Sequence, residues 1–356
     1  MLSFECDYNN GAHPLVLQHL VETNAEISQT YGFDRWSETA REKIRQACRL
    51  DEADIYFLQG GTQANAVVID SLLRSYEGVV CAESGHINVH EAGAVEASGH
   101  RVIALAADQG KLTVAELEHY MQVYLQDESR EHVAQPGMVY ITFPTEIGTL
   151  YTADELAAIY ATCRRYDLPL FVDGARLAYG LAAGDITLPF LARHCDAFYI
   201  GGTKCGALCG EAVVFTKHHV PTPRGIFPNI KRHGALSAKG RLAGVQFDAL
   251  FSPDSADGEG TTEDSLLYFR LGRHAIRMAM SLKDILALAG FRFYMDSPTN
   301  QQFVIIPNAQ AKKLKTQVDF TLWGPYDADH MLCRFVTSWA TTDADLDALR
   351  RILSSC

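Results

Sequence analysis

AFYIGGTKCG, residues 197–206, combines an apolar run, a glycine pair and a single lysine. The apolar run AFYI predicts a buried strand, and GGT predicts the tight turn that leaves it. Lys204 would then lie at a strand end, which is where open α/β sheets place their ligands. Because its sequence neighbours are apolar or small, desolvation should lower the pKa of Lys204. A neutral amine in this position can attack carbonyl groups, although most lysines in any chain are simply surface residues.

A second strand end of the same kind precedes it in the run LPLFVDGAR, residues 168–176. Here the apolar run ends in Asp173, which glycine follows. A carboxylate and a lysine at two strand ends suit pyridoxal phosphate, because the lysine binds the cofactor and the carboxylate keeps the pyridinium nitrogen protonated. By itself, Asp173 fits equally well as the N-cap of a helix that follows the strand. Together with Lys204, it favours the cofactor site.

Length and composition are those of a globular enzyme with an ample core. The chain has 356 residues, of which 47% are hydrophobic and 21% charged. The net charge of −12 and the lack of a basic run argue against nucleic acid and anionic membranes as partners. The start of the sequence has no signal-peptide pattern and no stretch approaches a membrane span, so we expect a cytoplasmic protein.

The nine cysteines are scattered and odd in number, which favours reduced thiols over disulfides. Cys205 and Cys209 have a CxxxC spacing without a second pair, so we expect no zinc or other metal site.

Two further motifs follow predicted strands. In DIYFLQGGTQAN, residues 54–65, a strand leads through Gly61 and Thr62 into a helix, whose free N–H groups and positive end suit a phosphate. The motif matches neither GxGxxG nor GxxxxGK, and a plain strand-to-helix turn is an equal alternative. In SGHINVHEAGA, residues 84–94, His86 follows a strand end, where an imidazole can stack on a pyridine ring. A lone loop histidine is more often structural.

Alternating strands and helices predict an α/β fold with a mostly parallel sheet that is covered on both faces. We expect an N-terminal arm over 1–13, too polar for a core element, a cofactor-binding large domain over 14–250, and a smaller α+β C-terminal domain over 251–356. The polar segment 252–262 marks the boundary or an exposed loop.

Helices are predicted over 14–29 and over 37–50, the second with Ser37 as its N-cap. A further helix is predicted after Thr152, with Glu155 at the capping-box position.

The joint order and spacing of the motifs resemble the threonine aldolase branch of the fold-type I pyridoxal phosphate enzymes. This group also holds the aromatic amino-acid β-eliminating lyases. The resemblance covers nearly the whole chain and implies a mostly parallel seven-stranded sheet in the large domain, with a smaller α+β domain after it. The motifs are FECD at 4–7, YG at 31–32, GGTQAN at 60–65, HI at 86–87 with EAG at 91–93, DGAR at 173–176, TK at 203–204 and RFVTSW at 334–339.

The resemblance implies a set of cofactor-binding residues. Lys204 would bind the cofactor covalently, and Asp173 would pair with its pyridinium nitrogen. His86 would stack on the ring and is one candidate to take the proton of a substrate hydroxyl. Gly61 and Thr62 would hold the phosphate.

The resemblance also implies a set of substrate-binding residues. Arg176, which would lie beside the cofactor as well, and Arg334 would bind the substrate carboxylate, a role that suits the guanidinium fork. Cys6 stands where the family usually has a serine that contacts this carboxylate, and a thiol is a weaker donor. Family members are dimers or tetramers whose sites borrow residues from a neighbour, and Tyr31 and Lys231 are the candidates here.

A second departure follows the predicted strand over 138–143. The family has a histidine there that assists the hydroxyl proton, whereas this chain has PTEIGT, residues 144–149. The preferred substrate need not be threonine.

The resemblance implies a lyase that cleaves the Cα–Cβ bond of β-hydroxy-α-amino acids, of the threonine, allo-threonine or phenylserine type, to glycine and an aldehyde. One alternative is β-elimination on cysteine, tryptophan or tyrosine, in which Cα–H is cleaved instead. The other is a non-catalytic ligand-binding protein with the same fold. In each case a small amino acid is the expected ligand, and a homodimer or homotetramer the expected assembly.

Overall fold

The computed structural model describes residues 2–253 and 265–354. The part of the predicted polar segment from residue 254 to 262 lies outside the described residues. The strands are β1 (Leu2–Ser3), β2 (Asp54–Leu58), β3 (Glu77–Ala82), β4 (Arg101–Leu105), β5 (Gln135–Thr142), β6 (Leu170–Asp173), β7 (Ala197–Gly201), β8 (Glu211–Phe215), β9 (Arg292–Phe293), β10 (Gln301–Pro307), β11 (Val318–Asp319), β12 (Thr321–Pro325) and β13 (His330–Val336).

The α-helices alternate with the strands of the large sheet and also cover the smaller sheet. They are α1 (Pro14–Thr23), α2 (Arg35–Cys48), α3 (Gly61–Leu72), α4 (His86–Val89), α5 (Ala94–Ala97), α6 (Val114–Gln126), α7 (Ala153–Arg165), α8 (Leu177–Ala183), α9 (Leu188–Arg193), α10 (Ile226–Arg232), α11 (Arg241–Leu250), α12 (Leu267–Leu288), α13 (Asn308–Lys315) and α14 (Asp343–Ser354). Among the described residues, no helix is both long and apolar enough to cross a membrane.

Helix boundaries follow the capping residues. The capping box of Thr152 and Glu155 is present at the start of α7, as predicted. The prediction of Ser37 as the N-cap of α2 is wrong, because Asp34 caps that helix and accepts a hydrogen bond of 2.9 Å from the Ser37 N–H. The helix α1 ends at Thr23 rather than near residue 29.

The large sheet has seven strands in the order β2-β8-β7-β6-β5-β3-β4. Only the pairings of β8 with β2 and β7 are antiparallel, so the prediction of a mostly parallel seven-stranded sheet is confirmed. The central strands β6, β7 and β8 are buried along their whole length, as strands covered on both faces must be. In the register of β5 and β6, Thr142 lies opposite Asp173. The polar residues at these strand ends therefore meet at one edge of the sheet.

The small sheet is antiparallel, in the order β12-β13-β10-β9, and the N-terminal segment packs beside it. β1 pairs with β11, and the Phe4 main chain bonds to Asp319 and Val336. The Phe4 side chain is buried among apolar residues of the C-terminal region. The prediction that residues 1–13 contain no core element is therefore wrong. A single aromatic residue in a polar segment shows no periodicity, so its burial has no local signal.

Candidate active site

The carboxylate of Asp173 lies at the end of β6 and is held by three donors. Its Oδ2 accepts hydrogen bonds from Tyr140 Oη at 2.6 Å and Asn65 Nδ2 at 2.9 Å, and its Oδ1 accepts one from the Ala175 N–H at 2.9 Å. Burial opposes ionisation, but the charge of His86 and the bond from Tyr140 outweigh it, so the pKa of Asp173 is lowered. This site therefore keeps a fixed negative charge at the strand end.

The imidazole of His86 begins α4 and lies near this carboxylate. Its Nδ1 is 2.9 Å from Glu91 Oε1, which also accepts a bond of 2.8 Å from Asn65 Nδ2. Burial lowers the pKa of His86, but the bond to Glu91 and the charge of Asp173 more than reverse this, and the net pKa is raised. Asn65 therefore links Asp173 to the Glu91–His86 pair.

Gly61 begins α3 directly after the end of β2. Within the described chain no side chain caps this helix start, so its first N–H groups are available to an anion. A Cβ atom on Gly61 would lie 2.9 Å from Tyr199 Oη, so a side chain here would press against that hydroxyl. Thr62 adds a hydroxyl in the same turn. The arrangement suits a phosphate group.

Lys204 lies in the turn that joins β7 to β8. The N–H groups of Gly202 and Thr203 bond to the carbonyl of Gly210 and close this turn. Burial lowers the pKa of Lys204, and the charge of Arg176 lowers it further. The Lys204 amine lies 5.7 Å from the ring of Tyr8, which comes from the N-terminal segment.

Arg176 is paired with a carboxylate that sequence reasoning did not consider. Its Nε and NH2 donate to the two oxygens of Asp7 at 2.7 and 3.0 Å. Asp7 is buried and also accepts a bond of 2.9 Å from Asn300 Nδ2. Burial would raise the pKa of Asp7, but the charge of Arg176 lowers it below its ordinary value. Two of the three Arg176 nitrogens are thus engaged, and NH1 takes no part in the pairing with Asp7.

Arg334 reaches the same region from β13 of the small sheet. Its NH1 donates to Gln301 Oε1 at 3.0 Å and its NH2 to Thr321 Oγ1 at 3.3 Å, and its guanidinium lies 4.7 Å from the ring centre of Trp323. Its buried Nε has no hydrogen-bond partner among the described residues. Burial and the charge of Arg176 lower the pKa of Arg334 to about 10. The positive charges of Arg176 and Arg334 repel each other. An anion bound between them would reduce this repulsion.

Three more predicted site residues have different surroundings. The half-buried thiol of Cys6 lies within the electrostatic reach of Arg334, and burial raises its pKa. Tyr31 and Lys231 are neighbours of each other, with the lysine amine 5.5 Å from the tyrosine ring. The described residues show no contact of this pair with Lys204 or Asp173, so one chain does not bring the two groups together.

Sequence reasoning missed the residues that support this site. All but one are buried polar side chains, the exception being the half-buried ring of Trp323, and each contacts a predicted residue or lies near one. Asp7, Asn65 and Glu91 lie within quoted motifs, which assigned them no role, and tyrosines inside apolar runs give no local signal. The supporting residues are Asp7, Asn65, Glu91, Tyr140, Glu146, Tyr199, Glu211 and Trp323.

The donor set fits pyridoxal phosphate. An uncapped helix start suits the phosphate, a fixed carboxylate suits the pyridinium nitrogen, and an amine with a lowered pKa suits the aldehyde. Buried polar atoms without a protein partner among the described residues, Asn65 Oδ1 and Glu91 Oε2, also lie in this network.

The sheet order, with a lysine and an aspartate at neighbouring strand ends, places the protein in the fold-type I class of α/β enzymes. An aromatic aminotransferase from Pyrococcus horikoshii has the same fold, with a TM-score of 0.67, 15% identity and coverage of 99% of this chain and 95% of that one.

The chain belongs to the beta-eliminating lyase family, whose sequence pattern matches residues 18–304. It is 30% identical to a low specificity L-threonine aldolase from a Pseudomonas species, over 96% of this chain and 94% of that one. It also resembles the threonine aldolase of Leishmania major, with a TM-score of 0.91, 36% identity and coverage of 100% of this chain and 99% of that one. The predicted family and the prediction of a lyase are confirmed.

Proposed function

We propose that this protein is a pyridoxal phosphate-dependent lyase that cleaves β-hydroxy-α-amino acids to glycine and an aldehyde. The observation that supports this most is the electrostatic coupling of four side chains, in which Arg176 and Asp173 act on Lys204 and Arg176 also acts on Arg334. The names of its threonine aldolase relatives support the substrate class.

The large domain would hold the cofactor. Gly61 and Thr62 would bind its phosphate, Asp173 its protonated ring nitrogen and Lys204 its aldehyde carbon, with the ring against His86. Once bound, the cofactor supplies an electron sink for the bond that breaks at Cα. Tyr140 and Asn65 keep the Asp173 carboxylate aimed and ionised through their two hydrogen bonds.

The two arginines would orient the substrate. The α-carboxylate would bind Arg334 through its unpartnered Nε and Arg176 through NH1, with Cys6 beside them. A fixed carboxylate fixes the rotation about the bond between nitrogen and Cα, and so selects the Cα–Cβ bond for cleavage. The bidentate pairing with Asp7 would hold the Arg176 side chain in place. Because Asp7 carries one negative charge and the two arginines carry two positive charges, a net positive charge would remain for the substrate carboxylate.

We propose further that the active form is a dimer or tetramer in which a second copy supplies Tyr31 and Lys231. Tyr31 and Phe33 are exposed by 41% and 62%, and Ile27 is fully exposed, which is an unusual group of large apolar side chains for a free surface. A reducing compartment such as the cytoplasm suits the buried free thiols of the described chain.

The test is a product assay on the purified protein loaded with pyridoxal phosphate. Threonine, allo-threonine and phenylserine should each yield glycine and an aldehyde. Borohydride reduction and peptide mass spectrometry should find the cofactor on Lys204. The variant Lys204→Ala should lose at least about 10⁴-fold in turnover.

Two outcomes would contradict the proposal. Release of ammonia from cysteine, without aldehyde from any hydroxy amino acid, would assign β-elimination instead. A protein that binds no pyridoxal phosphate would be the non-catalytic alternative.

A further inference from the structure

Two buried glutamates flank the cleft on different sides. Glu211 lies under the Lys204 turn, where its Oε2 accepts a bond of 3.1 Å from the Gly202 N–H. Glu146 follows β5 on the other side, and its Oε2 accepts a bond of 2.9 Å from Thr142 Oγ1. Thr142 is the residue opposite Asp173 in the sheet. Glu146 thus lies beside the strand end that carries Asp173, within reach of the charge of His86.

Glu146 and Glu211 are two acids of the site whose pKa values burial raises to near neutral, about 7 and about 8 respectively. They differ in position, because the Glu211 carboxylate bonds to the Gly202 N–H on the Lys204 side, whereas Glu146 lies beside the strand end that carries Asp173. Burial, and then the charge of Asp173, raises the pKa of Glu146 to about 7. His86 has a raised pKa and is bonded to Glu91, so it tends to keep its proton. Burial holds the pKa of Tyr140 well above its usual range, so it stays a neutral donor.

No cation forms an ion pair with Glu146 in the described part of the chain. Arg176 and Arg334 are committed elsewhere, to Asp7 and to the small sheet. A buried acid without a counter-ion is costly, and it is usually retained where its proton is used. Its surroundings also include other ionisable side chains from several elements: Asp173, His86, Cys81, Tyr140 and Tyr151.

We propose that Glu146 is the catalytic residue that takes the proton of the substrate β-hydroxyl, with protonated His86 as the hydrogen-bond donor beside it. This role rests on the proposed function. The hydroxyl oxygen loses its proton to the Glu146 carboxylate and becomes the carbonyl oxygen of the aldehyde as Cα–Cβ breaks. The bonding pair stays with Cα, where a bound pyridoxal phosphate would stabilise it, and a proton added at Cα gives glycine. One proton leaves oxygen and one joins carbon, so no further reagent is needed.

The deciding variant is Glu146→Gln, because an amide oxygen can still accept the Thr142 bond but cannot take a proton. Cleavage of phenylserine and threonine should fall by about 10²–10⁴-fold. Exchange of the glycine α-proton with deuterium, followed by NMR, needs Lys204 and Asp173 but no hydroxyl base. The rate of this exchange in Glu146→Gln should stay within about threefold of the wild-type rate, since the glutamine amide oxygen still accepts the hydrogen bond from Thr142.

Two further variants serve as controls. Glu146→His supplies another base with a pKa near 6.5 and should recover part of the cleavage. In the wild type, kcat/KM should rise with pH through about 7, as Glu146 loses its proton. This rise of kcat/KM with pH should be absent from Glu146→Gln. It should persist in Glu211→Gln, which changes the buried glutamate on the Lys204 side.

A spectroscopic measurement tests the titration without turnover. The infrared difference between wild type and Glu146→Gln should show a protonated carboxyl band that is lost as the pH rises through about 7.

Three results would overturn the role. The first is that Glu146→Gln cleaves the substrates at the wild-type rate and with the wild-type pH profile. The second is a carboxyl band that does not titrate in this range. The third is an equal loss of cleavage and of glycine exchange, which would indicate a structural role. If the wild type itself cleaves no β-hydroxy amino acid, the proposed function fails and this role fails with it. If the wild type cleaves and Glu146→Gln cleaves equally well, only the role of Glu146 fails.

Discussion

Asp173 and Arg334 are both residues of the proposed site, but the protein holds them in different ways. Asp173 ends a buried strand of the large sheet, and three hydrogen bonds satisfy its carboxylate before any ligand binds. Arg334 comes from a strand of the small sheet, and its buried Nε has no partner among the described residues. The side that we propose for the cofactor is therefore preorganised, whereas the side that we propose for the substrate would be completed by its ligand.

The origin of the two sides explains this difference. Lys204 and Asp173 follow strands of one sheet, so the sheet itself fixes their spacing. The substrate side joins the N-terminal segment, the large sheet and the small sheet through Asp7, Arg176 and Arg334. Changes on the cofactor side should therefore reduce turnover, and changes on the substrate side should chiefly weaken binding.

Of the changes that test this comparison, Asp173→Asn on the proposed cofactor side should have the largest effect. A neutral amide cannot keep the ring nitrogen protonated, so kcat should fall by about 10²–10⁴-fold with little change in KM. Steady-state kinetics with phenylserine would measure both constants. Tyr140→Phe is the matched control, since it removes one of the three hydrogen bonds to the Asp173 carboxylate but leaves its charge, and it should lower kcat by about tenfold. A near wild-type kcat in Asp173→Asn would show that the preorganised charge is not used.

An intermediate effect is expected on the substrate side, from Arg334→Ala. Loss of one partner of a buried charged pair costs about 2–4 kcal/mol, so kcat/KM should fall by about 30- to 1,000-fold. The loss should be similar for substrates with different side chains, because the carboxylate is common to all.

Arg334→Lys should also be poor, since an ammonium cannot form two parallel bonds. Arg176→Ala provides the comparison within the pair of arginines, and it should in addition destabilise the fold because it leaves Asp7 buried without its partner. Unchanged kcat/KM for two substrates in Arg334→Ala would remove the small sheet from the substrate site.

The smallest effect should be on stability, from Asp7→Asn. The amide still accepts a bond from Arg176 but lacks the charge, so the free energy of unfolding should drop by about 1–3 kcal/mol at pH 7. The pKa of Asp7 is lowered in the folded state from an ordinary value of 3.8, so its contribution is complete above that value. It is lost as the pH falls through the lower, folded-state pKa. Urea unfolding should therefore show that the difference in the free energy of unfolding between the wild type and Asp7→Asn becomes smaller below pH 4. A difference that does not change with pH would mean that the charge of Asp7 is not its cause.

The large sheet, and the strands that end at the proposed site, could be predicted from local sequence patterns. An apolar run, a polar residue and a glycine are local features, and they predict a strand and its end wherever they occur. Lys204, Asp173 and Gly61 were found in this way, and the alternation of strands with helices predicted that the strand ends share one edge. The absence of the family's histidine at residues 144–149 was also visible in the sequence. The burial of Glu146 in that segment was not.

Which of these residues contact one another could not be predicted from local patterns and depends on the folded chain. Asp7 pairs with Arg176 across 169 positions of the chain, and Asn65 reaches Asp173 across 108. The structure also separated Tyr31 and Lys231 from Lys204 within one chain. Burial of Glu146 beside Asp173 raised its pKa to about 7. Pairing and desolvation depend on what surrounds a side chain in space, and the surroundings come from segments that the local pattern does not connect.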